Sequence, residues 1–406
     1  MTVTKRVFDP IHHFIELGAV EARLLDCDVL QRLRRLRQLG LAYLAYPSAE
    51  HSRFSHALGA FAVGTRVFDT LVAQSPEHFN GNEDVAYQRR LVRTALLLHD
   101  IGHGPFSHAC EAVLGIKHEQ RTRALLELPR MRTILADLDV DVSDILELVV
   151  GGAHNRYPVL TEIVSGPNLD ADRMDYLLRD AYFTGVSSGR YDSEQLLGSL
   201  RVYSAPNGPV MGIDSRGVVA LESFVLARYM MFATVYFHHT TRMFERILQD
   251  ALRELWVDPK KLDDIDEFLL WDDFRVMNEL RDLHSLPARA LRERLRLYAL
   301  AAEFNAESDL STYEACASAL RSKFGNAVWD DAQEQLMHRL PMGADDRKPT
   351  VYVGSNAGLV DASDASDLIK KISGKAYWRK LFVERASVDP LEARAICREI
   401  IAGRGR

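Results

Sequence analysis

His99 and Asp100 stand side by side where the apolar run Leu96-Leu97-Leu98 gives out. A carboxylate buried there without a partner is strongly destabilising, so it calls for a cation. A divalent metal satisfies that demand most simply. Matching ligands stand at two other places, His56 in HSRFSH and Asp172 in LDADRMDY. Two imidazoles and two carboxylates form a mixed nitrogen and oxygen set. Such a set suits Mn, Fe, Zn or Ni, admits Mg, and leaves positions open for water and substrate. A zinc-finger site would instead be closed and rich in sulfur. The four cysteines, Cys27, Cys110, Cys316 and Cys397, are scattered and form no C-x-x-C pair. A lone His-Asp dipeptide carries little information. Histidines at a helix end often only cap carbonyls, a role open to His103 and His108. The force lies in the joint pattern of His56, His99-Asp100 and Asp172, with Gly102 and Gly104 beside it.

Those four residues require three helices to converge. HSRFSHALGAFAVGTRVFDTLV predicts one, capped by Ser52, with Phe54, Leu58 and Phe61 on one face. QRRLVRTALLLHDIGHG predicts a second, ended by Gly102, Gly104 and Pro105. ADRMDYLLRDAY predicts a third, capped by Asp170. DCDVLQRLRRLRQLG reads as an earlier helix stopping at Gly40, and HEQRTRALLEL and VSDILELVV as further ones. Residues 199–220 predict a β-hairpin around the turn NGP, followed by one long helix from Ala220 to Leu255. Residues 258–340 read as more amphipathic helix, PMGADDRKPT as a linker, and TVYVGSN as the start of a small lobe. The expected fold class is mainly α: a helical core with a small β-hairpin and a minor C-terminal α/β lobe. The expected domains are a catalytic core at 1–250, a helical extension at 251–340 and the lobe at 341–406.

The 406 residues are 47% apolar and 26% charged, as in an ordinary globular protein. No run of apolar residues reaches the ~18 that a membrane span needs. MTVTKRVFDP lacks the apolar core of a signal peptide. Scattered thiols suit a reducing, cytoplasmic setting. The net charge of −7 disfavours a protein that coats nucleic acid.

HSRFSHALG, LLLHDIGHGPFSH, KHEQ and LDADRMDYLLRD resemble the motifs of the HD-domain phosphohydrolase superfamily. FDPIHHFIEL, together with QRLRRLRQLGLAYLAYPSAEHSRFSHALG, is similar to the N-terminal signature of its deoxynucleoside triphosphate triphosphohydrolase branch. The likeness covers residues 7–245, and no further domain is expected ahead of it. It implies that His56, His99, Asp100 and Asp172 hold a divalent metal, as the residues themselves suggest. It also implies attack at the α-phosphorus, expulsion of the nucleoside 5′-oxygen and release of inorganic triphosphate. The leaving oxygen needs a proton. His108 is the general-acid candidate, with Glu111 one turn later to orient it. His103 and His118 match histidines that face the phosphates.

Asp172, Tyr176 and Asp180 recur at helical intervals and share a face. By resemblance Tyr176 and Asp180 line a deoxyribose, and Gln38 and Leu39 lie near its 2′ and 3′ edges. Arg228 and Tyr236 match a phosphate-binding arginine and an aromatic ring under the sugar. A tight aromatic ring at C2′ would exclude a 2′-hydroxyl. Arg53 and Arg173 would bring charge to a triphosphate. Relatives usually carry Lys at the second position, and Arg keeps the charge but not the geometry. Arg32, Arg34, Arg35 and Arg37 crowd one predicted helix, which reads as a solvated face or as part of an effector site. Asp26, Gln31 and Arg34 match residues that read a guanine in some relatives, although Phe8 and His13 replace the polar and glycine residues expected nearby. The resemblance implies a homodimer or homotetramer, with such an effector between subunits. Two other readings stand beside a dNTP substrate. One is an HD phosphohydrolase acting on nucleoside monophosphates or single-stranded nucleic acid. The other is a non-catalytic nucleotide-sensing module. Residues 258–406 show no chemistry and are assigned to assembly.

Overall fold

The structure, a computed structural model, describes residues 3–79, 85–151, 156–206, 208–338, 351–355 and 358–404. The linker candidate at 341–350 lies outside them. The chain is mainly helical, 61% helix and 17% strand. Helices α1 (Arg53–Gln74), α2 (Val85–Leu98), α3 (His108–Leu114), α4 (His118–Leu126) and α5 (Ala171–Thr184) frame the residues of interest. Helices α6 (Val218–Met231), α7 (His239–Leu255) and α8 (Asp273–Glu279) complete that frame.

Ser52 starts α1 as its position predicts: its hydroxyl accepts from the Ser55 N–H at 3.3 Å. Phe54, Leu58 and Phe61 are buried along one face. Helices α2 and α5 pack against α1 at crossings that tolerate no side chain. A Cβ at Gly64 would lie 1.9 Å from Leu96 Cδ1, and one at Gly59 would lie 1.9 Å from Asp175 Oδ1. These close crossings bring the ends of three distant segments together. Asp170 caps α5, accepting from the Arg173 N–H at 2.8 Å.

Three sheets flank the helices. Strands β1 (Val3–Asp9) and β2 (His13–Gly18) form an antiparallel ribbon. Strands β3 (Leu200–Ala205) and β4 (Gly208–Asp214) make the expected hairpin. Strands β5 (Tyr298–Phe304) and β6 (Val328–His338) lie within the stretch expected to be helical. β7 (Tyr352–Ser355) pairs parallel to β4, β8 (Gly358–Asp361) pairs with β7, and β9 (Gly374–Glu384) lies between β5 and β6. The last segment of the chain therefore contributes strands to two sheets begun by earlier segments.

Two helices end sooner than their periodicity predicts. The arginine-rich helix stops at Arg32 and passes through a 3₁₀ turn at Leu33–Arg35. Its side chains explain the break. Arg32 is buried and donates to the carbonyl oxygens of Trp271 and His103, with Phe268 beneath it at 4.5 Å. Beyond it Arg37 pairs its backbone with Ser52 and donates its N–H to Asp273 Oδ2. A solvated arginine face is thus excluded for Arg32. The long helix is interrupted by a π-helical turn at Phe232–Tyr236 between α6 and α7. By composition the helical stretch Ser215–Tyr236 is long and apolar enough to cross a membrane, contrary to the expectation from run lengths. Its Phe224, Val225 and Met231 are nevertheless buried in the core.

Candidate active site

Helices α1, α2 and α5 carry His56, His99 and Asp172 to one point. His56 Nε2 lies 2.9 Å from Asp172 Oδ1 and 3.2 Å from His99 Nε2. His99 Nε2 lies 3.6 Å from the same oxygen. Asp100 closes the group, with Oδ1 3.5 Å from His99 Nε2 and Oδ2 3.8 Å from His56 Nε2.

The far nitrogen of each imidazole is already committed. His99 Nδ1 lies 2.8 Å from the Leu96 carbonyl oxygen, which can only accept, so Nδ1 carries the proton. His56 Nδ1 donates to Asp175 Oδ2 at 2.8 Å. With both histidines neutral, the two Nε2 lone pairs would face each other beside a carboxylate oxygen. Such an arrangement repels unless positive charge lies within it. Ligands bound in adjacent positions at about 2.1 Å from one ion stand about 3 Å apart, close to the spacings seen here. The donor set therefore fits a divalent cation. The local field agrees. Burial pulls the His56 imidazole down, yet Asp172 and Asp175 outweigh it and push it up to about 10. Burial acts against ionised Asp172, but His56 and His99 hold its carboxyl well below the usual range.

Asp175 was not anticipated from the sequence. It is buried and also accepts from His12 Nε2 at 2.7 Å and from Arg179 Nε and Nη2 at 2.9 Å each. Arg179 reaches onward to Asp9 Oδ2 at 2.8 Å. Asp9 and His12 flank the turn between β1 and β2, so that ribbon buttresses the metal-ligand candidates from behind. The i, i+4 spacing of Asp175 and Arg179 on α5 is a signal in the sequence that could have found the pair.

Arg53 Nη1 donates to Asp100 Oδ2 at 2.5 Å, and its other nitrogens donate to Ser107 Oγ at 2.7 and 3.0 Å. Phe106 and Ser107 both have φ near +52°, a conformation costing about 1–3 kcal/mol each. Asp273 steadies that turn from α8, accepting the Phe106 N–H at 2.8 Å. Gly102 lets the preceding loop press on α4, since a Cβ there would lie 2.1 Å from the His118 carbonyl oxygen. His103 consequently stacks on His118, with ring centroids 3.9 Å apart. Glu111 Oε1 accepts from His118 Nδ1 at 2.9 Å and lies 3.5 Å from His103 Nδ1. Burial, with the Arg53 charge nearby, pushes His103 down to about 4, so this imidazole is neutral at pH 7. His108 opens α3, and its side chain lies outside the described part of the chain.

Two cavities meet at this point. One, of about 350 Å³, has His99, Asp100, His103, His118, Asp172 and Arg173 on its walls. The other, of about 440 Å³, is bordered by Leu39, Asp180, Phe232 and Tyr236. Gln38, Arg53 and Tyr176 border both and join them into one cleft. Asp180 Oδ2 accepts from the Tyr236 hydroxyl at 2.8 Å, and Tyr176 meets Tyr236 edge-on at 6.1 Å. Arg173 is tied to Asp170 and to the Gly166 carbonyl, while burial pushes the Asp170 carboxyl up to about 7. Arg228 is buried beside Phe232 and borders neither cavity. Arg242, Glu245 and the β6 residues Gln333, Glu334 and Gln335 do border the larger one. They come from beyond the motifs, and two segments assigned to assembly or plain helix thus reach the cleft.

His51, also unanticipated, donates from Nε2 to Asp180 Oδ1 at 2.7 Å and stacks on Phe183 at 4.7 Å. His51→Phe keeps a ring there and deprives a buried carboxylate oxygen of its partner. The expected cost is about 1–3 kcal/mol, read as a lower denaturation midpoint. His51→Gln, whose amide can donate, should recover part of the loss.

The effector candidates lie elsewhere. Asp26 pairs with Lys5 at 2.8 Å on the surface. Arg34 donates to Gln31 Oε1 at 2.9 Å and covers the Phe54 ring at 3.6 Å. A charged cleft of about 760 Å³ close by in the chain is bordered by Asp28, Arg32, Arg35 and Arg130 and by none of the three.

Comparisons with known proteins agree with this architecture. Residues 192–321 match the family described as the HD associated region. The chain is 31% identical to the uncharacterised protein YwfO of Bacillus subtilis, over 91% of this chain and 90% of that one. It is 29% identical to the deoxynucleoside triphosphate triphosphohydrolase SAMHD1 homolog of Dictyostelium discoideum, over 62% of this chain and 49% of that protein. The chain thus spans about half the length of that relative. The crystal structure of a phosphohydrolase from Bacteroides thetaiotaomicron superposes with a TM-score of 0.73 at 25% identity, covering 94% of this chain and all of that one. Motifs, fold and relatives together show that the chain belongs to the HD-domain phosphohydrolase superfamily, in its dNTPase-like branch.

Proposed function

We propose that this phosphohydrolase cleaves deoxynucleoside triphosphates to deoxynucleoside and inorganic triphosphate, using a divalent metal held by His56, His99, Asp100 and Asp172. One observation carries the reading. Those four side chains meet at one end of a cleft whose continuation is walled by Tyr176, Asp180 and Tyr236. The name of the Dictyostelium relative points the same way. A bound cation supplies Lewis acidity toward a water and a phosphoryl oxygen. Arg53, bordering both cavities, and Arg173 attract the phosphates. Neutral His103 donates a hydrogen bond to them, and His118 stacks on it, fixed by Glu111. Arg228, hydrogen-bonded to Tyr176, adds charge for the phosphates as the resemblance implies. Tyr176 and Tyr236 pack under the sugar, Asp180 accepts from its hydroxyl, and Gln38 and Leu39 close its edge. His108 hands a proton to the departing 5′-oxygen. An effector site at Asp26, Gln31 and Arg34, and a homodimer or homotetramer, belong to the same proposal.

Incubation with Mn²⁺ and each dNTP tests the reading. Release of tripolyphosphate supports it. Release of phosphate or pyrophosphate, or shortening of a labelled oligonucleotide alone, overturns it. His108→Ala should leave bound metal unchanged and slow turnover by about 10²–10⁴-fold, the range of a lost general acid. Metal analysis and single-turnover kinetics check both halves.

A further inference from the structure

We infer that the strand β6 end of the cleft reads the nucleobase, with Gln333 and Gln335 as the reading side chains. The inference rests on the proposed nucleotide substrate and adds the part of the site that distinguishes one base from another. The smaller cavity is bordered by His99, Asp100 and Asp172 of the metal-ligand candidates, and among the described residues none of β6 borders it. The larger cavity continues past Tyr176, Asp180 and Tyr236 and is bordered by β6. A nucleotide is linear, phosphate then sugar then base. With phosphates at the first cavity and sugar at the tyrosines, the base must extend toward β6. The strand is well held there. Gln333 pairs with Trp378 of β9, and Trp378 packs on Phe232 and Phe237, which flank the Tyr236 turn.

The chemistry of this end is specific. Gln333 and Gln335 are half-buried, and Glu334 between them is exposed, as alternation along a strand requires. Arg242 donates to both oxygens of Asp331 at 2.8 and 2.9 Å, so its charge is spent on that carboxylate. Asp331 Oδ1 also accepts from Gln333 Nε2 at 2.7 Å. That bond orients the amide: one N–H is committed to Asp331, and the other N–H and the oxygen remain to pair with a base. An amide held at the base edge offers an acceptor and a donor, so it distinguishes bases by the donor and acceptor pattern they present there.

The test measures kcat/KM for the four dNTPs with the full-length Mn²⁺-loaded protein and its Gln333→Leu, Gln335→Leu and Gln335→Glu variants. Gln333→Leu should lower kcat/KM unequally across the four substrates, by about tenfold for those that pair with the amide, the worth of one hydrogen bond. The Gln335 variants should shift the ratios among the four. Folding is checked by the thermal midpoint and by metal content, which should match the wild type. Equal loss on all four substrates, or no change, overturns the inference while leaving the hydrolase reading intact. Absence of tripolyphosphate from the wild type with every dNTP overturns both.

Discussion

Asp172→Ala and His99→Ala should each yield a folded protein that no longer retains its divalent metal and no longer turns over substrate. Both positions suit the test because they can be emptied at modest structural cost. The Asp172 side chain is one-third exposed, and His99 borders the smaller cavity. His56 is a poorer choice, since its removal would strand Asp172 and Asp175 together. Loss of one ligand leaves a nitrogen and oxygen set too small to compete with solvent. Metal catalysis stabilises developing charge by several kcal/mol, about three decades of rate or more. Mass spectrometry of the dialysed proteins should find metal in the wild type and almost none in the variants. A ligand present at a hundredfold excess over its Kd stabilises a fold by about 2.7 kcal/mol. Added Mn²⁺ should therefore raise the wild-type thermal midpoint and leave that of Asp172→Ala unmoved. Retained metal in either variant would show that these four side chains are not the ligand set.

The parts of this site that were legible in the sequence share a physical reason. Ser52, Asp170 and the apolar stripe of α1 act within a few residues of themselves, so local spacing reveals them. The crossing glycines, Gly59 and Gly64, escaped because their partners, Asp175 and Leu96, lie in other helices. Arg32 looked solvated because it stands in a run of arginines. Its acceptors, the carbonyls of Trp271 and His103, are supplied by distant segments that no local pattern announces. The π-helical turn at Phe232–Tyr236 contains neither Gly nor Pro, and the apolar periodicity runs through it. β6 reads as charged and amphipathic on its own. It becomes a wall of the cleft only through its pairing with β9. The candidate ligands could be picked out because residue type alone marks them. What orients them could not, because it is a matter of tertiary contact.

Asp175 shows that distinction most sharply, and its substitution separates two roles that one residue combines. It neutralises buried Arg179 and fixes the tautomer of His56. Asp175→Ala removes both. Arg179 keeps only Asp9, and breaking a buried pair costs about 3–5 kcal/mol. A denaturation midpoint should register that loss directly. Asp175→Asn is the more informative change. Its volume is unchanged, and its amide oxygen can still accept from Arg179, so much of the stability should remain. The amide nitrogen, however, must then face His56 or His12. Toward His56 it donates where the carboxylate accepted, which turns Nδ1 into the acceptor and moves the proton to Nε2. A protonated Nε2 cannot bind metal. Metal affinity of Asp175→Asn should consequently fall about 10–100-fold, the range for a lost partner behind a ligating histidine, while its fold survives better than that of Asp175→Ala. Titration of the metal-free proteins with Mn²⁺, beside urea unfolding of the same samples, reads the two roles independently. Wild-type affinity in a folded Asp175→Asn protein would remove Asp175 from the orientation of His56 and leave it a purely structural anion.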